Sequence, residues 1–127
     1  MAIENIKGTL GVRSFVSRNS LIPGKVVQFT YDGEQKYALV LNPEWEGKLH
    51  AISLENINIS KFIQIRSLVG EETDGEILYS KFRNSILVAD RPYRTYLLSK
   101  VSALREVYVK EEVLKEAGKV TENMYGE

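Results

Sequence analysis

The sequence contains no cysteine. That absence excludes disulfides, a thiolate nucleophile, and any zinc or iron–sulfur centre built on cysteine. Histidine occurs once, at His50, so no cluster of imidazoles can hold a metal. Net charge is also missing: 17 basic residues balance 17 acidic ones. Without a global field, nothing draws the whole molecule to nucleic acid or to an anionic membrane. No apolar run approaches the roughly 18 residues that span a bilayer. The first ten residues lack the apolar centre of a secretory signal, which gives the cytoplasm as the expected site of synthesis.

What is present suits one folded domain. The 127 residues are 43% hydrophobic and 27% charged, ordinary values for a globular chain able to bury a core. The charge is balanced overall but unevenly spread. Residues 1–25 carry Lys7, Arg13, Arg18 and Lys25 against Glu4. Residues 81–105 carry six bases, Lys81, Arg83, Arg91, Arg94, Lys100 and Arg105, against Asp90. Acidic residues dominate between them.

Residues 1–24 show no sustained periodicity and end in Pro23-Gly24. They read as an extended N-terminal arm, mobile or ordered by a neighbour, or else as an edge strand or strap across the domain. From Lys25 the period becomes two. Val26, Val27, Phe29 and Tyr31 form a strand, and Asp32-Gly33-Glu34-Gln35 a hairpin turn in which Asp-Gly supplies positive φ angles. A second strand covers Lys36 to Asn42, Pro43 to Gly47 turn the chain, and Lys48 to Leu54 form a third strand.

Residues 55–88 read as a helical insertion. Ile59, Phe62, Ile63 and Arg66 have the spacing of a short amphipathic helix that Gly70 ends. Ile77, Leu78, Phe82 and Ile86 mark a second helix opening at Asp74-Gly75. Alternation returns in Tyr93, Thr95 and Leu97, and Arg105 to Val109 form another strand after a tight turn. A charged C-terminal tail occupies 110–127, with a short helix expected over Glu111 to Ala117. The expected fold is α+β: a small SH3-like β-barrel of about five antiparallel strands over 25–109, with the helical insertion. An open sheet with two helices packed on one face needs only the same elements.

No glycine loop, nucleophile elbow or carboxylate pair supports catalysis, so no cofactor, metal or small-molecule substrate is expected. His50 falls on the more apolar face of its strand, where an imidazole needs a hydrogen-bond partner and reads as structural. Trp45, between Glu44 and Glu46 in a turn, reads as a cap on the barrel or as a contact for a partner. Arg91-Pro92-Tyr93-Arg94-Thr95-Tyr96 alternates bases with aromatics. Arg91, Tyr93, Arg94 and Tyr96 therefore join Trp45 as candidate contact residues. Such residues fill protein interfaces, and they also stack bases and neutralise phosphates.

Three runs, Gly24-Lys25-Val26-Val27-Gln28-Phe29-Thr30-Tyr31, Ala38 to Leu54 with its Trp45 turn and Lys48-Leu49-His50-Ala51, and Tyr93-Arg94-Thr95-Tyr96, resemble small proteins of tailed bacteriophages. The resemblance rests on short motifs over about half the chain. It implies a virion or assembly protein, with other protein subunits as partners and a virion location after synthesis in the host cytoplasm. The first half is also similar to ribonuclease toxins of the MazF kind, but Lys36-Tyr37 stands where that pattern has Arg-Pro. The reading as a whole is a non-enzymatic structural or adaptor protein, with a nucleic-acid-binding module as the alternative.

Overall fold

The computed structural model describes residues 6–55, 57–83 and 93–112. Strand β1 is Leu10–Phe15, β2 Val26–Tyr31, β3 Glu34–Trp45 and β4 Lys48–Ser53; helices α1 (Ile59–Val69) and α2 (Gly75–Arg83) follow, then β5 (Tyr93–Leu97) and β6 (Ser102–Val109). The strands make one antiparallel sheet in the order β1-β6-β2-β3-β4-β5. The meander β2–β3–β4 stands where alternation placed it. Its hairpins turn on two residues each: Asp32 and Gly33 (φ 50° and 78°), then Glu46 and Gly47 (φ 55° and 74°). Paired positive φ values match the right-handed twist of the flanking strands. β3 therefore runs on through Pro43 to Trp45, and the turn is shorter than the sequence suggested.

Alternation along the central strands sends side chains to two apolar clusters. Leu39, Leu41, Ile52 and Leu54 meet Ile59, Phe62 and Ile65 of α1 and Leu78 and Phe82 of α2. On the opposite face Val27, Phe29, Ala38, Val40, Leu49, Ala51, Tyr96 and Leu104 pack together. Those eight side chains are covered without an α-helix, by the curl of the sheet together with Val16, Leu21, Leu98 and Val101 from the connecting segments. Phe29 on β2 and Tyr96 on β5 meet edge to face at 4.9 Å, across strands that the sheet order separates.

The helices are stopped and started by local chemistry. The Asn58 Oδ1 accepts a hydrogen bond from the Lys61 amide at 2.8 Å, and Gly70 at φ 55° donates its amide to the Arg66 carbonyl. The Asp74 Oδ1 caps α2 by accepting from the Glu76 and Ile77 amides, a device worth about 1 kcal/mol. α2 also begins very close to β3. A Cβ on Gly75 would come within 3.1 Å of Asn42, so any larger residue there would have to push β3 and the helix apart by a few tenths of an ångström.

Several expectations need correction. The described residues form a sheet of six strands where about five were expected, and among them no ladder joins β1 to β5; the α+β class stands, and closure into a barrel is not shown. Two helices on one sheet face match the open-sheet alternative. From residue 6 onward the N-terminal segment follows the edge-strand alternative and not the free arm: β1 stands at the edge of the sheet, paired with β6, and Ile6 and Leu10 are buried in the helix-side core. In α1 the buried stripe is Ile59, Phe62, Ile65 and Val69, whereas Ile63 is exposed. Ile77 is likewise exposed, leaving Leu78 and Phe82 as the anchors of α2. Ile86, Arg91, most of the expected helix over 111–117 and the tail beyond Glu112 lie outside the described residues.

Candidate functional site

The β3–β4 hairpin carries Trp45 at the last position of β3, and Trp45 pairs with Lys48, which in turn pairs with Leu97 of β5. Trp45, Lys48 and Leu97 thus stand abreast on three adjacent strands. Trp45 and Leu97 remain 43% and 41% exposed, large values for apolar side chains of that size. The indole is nevertheless held in place. Its ring lies 5.3 Å from the His50 ring and 5.0 Å, edge to face, from Tyr79 of α2. Tyr79 arrives there because the Asp74 cap and the close Gly75–Asn42 approach fix the start of α2. Tyr93 completes the group, 5.7 Å from Tyr79 and 6.0 Å from His50.

His50 lies beneath these rings and is almost fully buried. Its Nδ1 hydrogen-bonds the Tyr93 hydroxyl, and the ring also hydrogen-bonds the Trp45 backbone. Burial lowers the imidazole pKa below its usual value, with the Trp45 backbone bond opposing the shift. Desolvation disfavours the charged ring, so the neutral form prevails near pH 7. Those two bonds supply the hydrogen-bond partner that an imidazole on the more apolar strand face needs.

The candidate segment around β5 divides between the two faces of the sheet. Tyr93 pairs with Ile52 and belongs to the helix side, whereas Arg94 pairs with Ala51 and Tyr96 with Leu49 on the curled side. These residues therefore do not form one stacking face. Tyr96 is buried in the curled core at 6% exposure; burial raises its phenol pKa, and a hydrogen bond to Ser53 opposes that rise. It is a core residue more than a contact. Arg94 is exposed and donates through Nη1 to the Tyr93 carbonyl at 2.8 Å. Arg91 lies outside the described residues.

Arg94 and Tyr96 line an open cleft of about 860 Å³, together with Tyr31, Lys36, Glu55 and Lys61. Its charge is mixed. Glu34 and Lys36 pair at 2.8 Å, and Asp32 and Lys100 at 3.8 Å. The Lys36 partnership holds the Glu34 carboxyl below its usual pKa. Among the described residues no group of three His, Cys, Asp or Glu side chains could hold a metal ion. No helix there is long and apolar enough to cross a membrane.

On the first strand a second exposed aromatic appears. Phe15 is 60% exposed, with the Arg105 guanidinium 4.1 Å over its ring. Sequence reasoning missed Phe15 and Tyr79. Phe15 sits in a segment without periodicity, and Tyr79 joins Trp45 only through the packing of α2 on β3. Comparison with family models, with curated proteins and with solved structures finds no match.

Proposed function

We propose that this chain is a non-enzymatic structural or adaptor protein that docks into a larger macromolecular assembly, with Trp45 at the centre of the contact. One observation carries the reading: Trp45 is 43% exposed yet packed against His50 and Tyr79. A side chain already fixed in position loses little entropy on binding, and tryptophan is the residue most enriched among those that dominate interface energetics. Leu97 and Tyr93 extend the patch along β5. In this reading the assembly is a tailed-phage virion, supported by the motif resemblance, and the partners are other protein subunits.

The test is the state of the protein in extracts of its own cells or particles. The full chain should fractionate with a complex much larger than itself, and Trp45→Ala should move it to the free pool. A wild-type chain found only at its own molecular size would overturn the reading.

The alternative, a nucleic-acid-binding module, has one supporting observation. Arg94 and Lys61 line the cleft beside the Tyr31 ring and form no ion pair among the described residues. Against it, Asp32, Glu34 and Glu55 line the same cleft. It requires retention on DNA or RNA at low salt, weakening steeply as salt rises and lost in Arg94→Ala.

A further inference from the structure

Three separate elements meet over one imidazole. The β3–β4 hairpin lays the Trp45 ring 5.3 Å from the His50 ring, α2 brings Tyr79 to 5.3 Å, and β5 brings Tyr93 to 6.0 Å. His50 is only 7% exposed beneath them. It is the one histidine of the chain, and histidine is the side chain whose ordinary charge change falls between pH 5 and 8.

A neutral imidazole offers one donor and one acceptor, and this ring has a use for both. Its bond to the Trp45 backbone favours the proton, as donation to a carbonyl does, while Nδ1 meets the Tyr93 hydroxyl. A second proton turns the accepting nitrogen into a donor, so the pair with Tyr93 has to reverse. It also places a charge where water is excluded. Stacking on the indole offsets part of that cost, yet desolvation is the largest influence on the ring. The charged groups that act on it are Lys48 of its own strand, which opposes protonation, and Glu46 of the hairpin, which favours it. α2 and β5 face it with the rings of Tyr79 and Tyr93.

The three covers are not equally anchored. Tyr79 rides on α2, which the Asp74 cap and the buried Leu78 and Phe82 hold to the sheet. Tyr93 is paired with Ile52 in the sheet. Trp45 stands at the last position of β3, beside a two-residue turn, and is already 43% exposed. It is the cover that swings away at least cost. Its departure admits water, and the Glu46 carboxylate, to the charged ring.

We propose that His50 is an acid-operated latch on the docking site: the neutral imidazole holds the Trp45 indole in its presented position, and protonation releases it. The inference rests on the docking reading above and adds its regulation. A partner that recognises the fixed indole is held in neutral solution and let go in acid. One pH unit below the midpoint only about a tenth of the molecules keep the neutral ring, so apparent affinity falls about tenfold.

Acrylamide quenching of the single tryptophan, on the full chain through a descending pH series, tests the latch. Quenching is weak at neutral pH and rises through a midpoint below 6.5, while far-UV circular dichroism stays unchanged. His50→Gln abolishes the rise. Because that substitution falls on a buried side chain, two changes on the hairpin carry the charge test. Glu46→Gln moves the midpoint to lower pH and Lys48→Met to higher pH, the directions in which each charge acts on the ring. In extracts, the chain leaves its large complex as pH falls through the same midpoint, and Lys48→Met leaves it at higher pH.

The latch is overturned by an indole that stays shielded after His50 has titrated, by a rise that persists in folded His50→Gln, or by a rise only where the dichroism collapses. Equal docking on both sides of the midpoint overturns it as a control on binding. A chain that fractionates alone at every pH removes the docking reading instead, and the quenching titration still decides the latch.

Discussion

The Tyr31 hydroxyl accepts a hydrogen bond from the Leu97 amide at 3.1 Å, although β3 and β4 lie between their strands in the sheet. The same Tyr31 ring meets Tyr96 edge to face at 5.1 Å. Side chains of β2 therefore close the curl onto β5 where no backbone ladder does. The outer edge of β5 is also blunted by this arrangement. The Leu97 amide is taken by Tyr31, and the Tyr93 carbonyl by Arg94, leaving fewer free groups for an intruding strand.

Tyr31→Phe isolates that contribution, because it keeps the ring and deletes the acceptor. The expected loss is about 1 kcal/mol of stability, the usual net value of one hydrogen bond. Hydrogen exchange supplies a local readout: the Leu97 amide exchanges faster in the variant, while amides in β3 are unchanged. Unaltered Leu97 exchange would show that the hydroxyl does not hold the curl.

How much of this was legible in the residues depends on how local each feature is. Asp32-Gly33 and the apolar alternation from Val26 to Ile52 specify a meander from neighbours alone. Gly70 and Asp74 likewise announce where one helix stops and the next begins. The stripe of α1 was misread by assigning Ile63 to it, since Ile59, Phe62 and Ile63 fit one helical face as well as Ile59, Phe62 and Ile65 do. Packing against the sheet decides between them. β1 is short and contains a glycine, so its strand character comes from pairing with β6 at the far end of the chain. The curl depends on whether Tyr31 and Phe29 reach β5, which no local pattern encodes. Trp45 stood out by its type and its flanking glutamates, but its support by Tyr79 depends on the path of α2.

The aromatic group around His50 makes stability depend on pH. The folded-state pKa of His50 is lowered by burial, whereas an unfolded chain takes up the proton near pH 6.5. As pH falls below about 6.5 the unfolded state binds the proton first, so it gains free energy relative to the fold. The His50 contribution is thus complete above that pH and is lost as pH falls through the folded-state value. Trp45 is the sole tryptophan, 5.3 Å from the imidazole, so its fluorescence reports the titration directly through quenching by the protonated ring. The expected midpoint lies below 6.5, and His50→Gln removes the step. A midpoint at or above 6.5 would contradict the burial argument.

Gly11 and Tyr108 form a matched pair across β1 and β6. The Tyr108 ring lies over Gly11 so closely that any Cβ there would overlap it, and the Arg13 guanidinium covers the ring at 4.7 Å. An aromatic laid across a glycine on a neighbouring strand shields backbone that a side chain would otherwise cover. Gly11→Ala should expel the ring and cost about 1 kcal/mol, the low end for overpacking because Tyr108 is partly exposed and can swing outward. Tyr108→Ala should also destabilise. The double variant should lose less than the sum of the two, since the added methyl then has nothing to displace. Strict additivity in denaturant melts would refute the pairing.

Backbone strain marks Glu46 and Ala103 as positions where stability can be gained. Glu46 at φ 55° and Ala103 at φ 52° both adopt the left-handed region, which costs a residue with a Cβ roughly 1–2 kcal/mol. Ala103→Gly relieves that strain and should raise stability by about 1 kcal/mol. Glu46→Asn should also stabilise, by a similar or smaller amount, because asparagine tolerates the conformation. Thermal melts on the two variants check both expectations: a midpoint unchanged or lowered in either variant would show that its left-handed conformation holds no strain for the substitution to relieve.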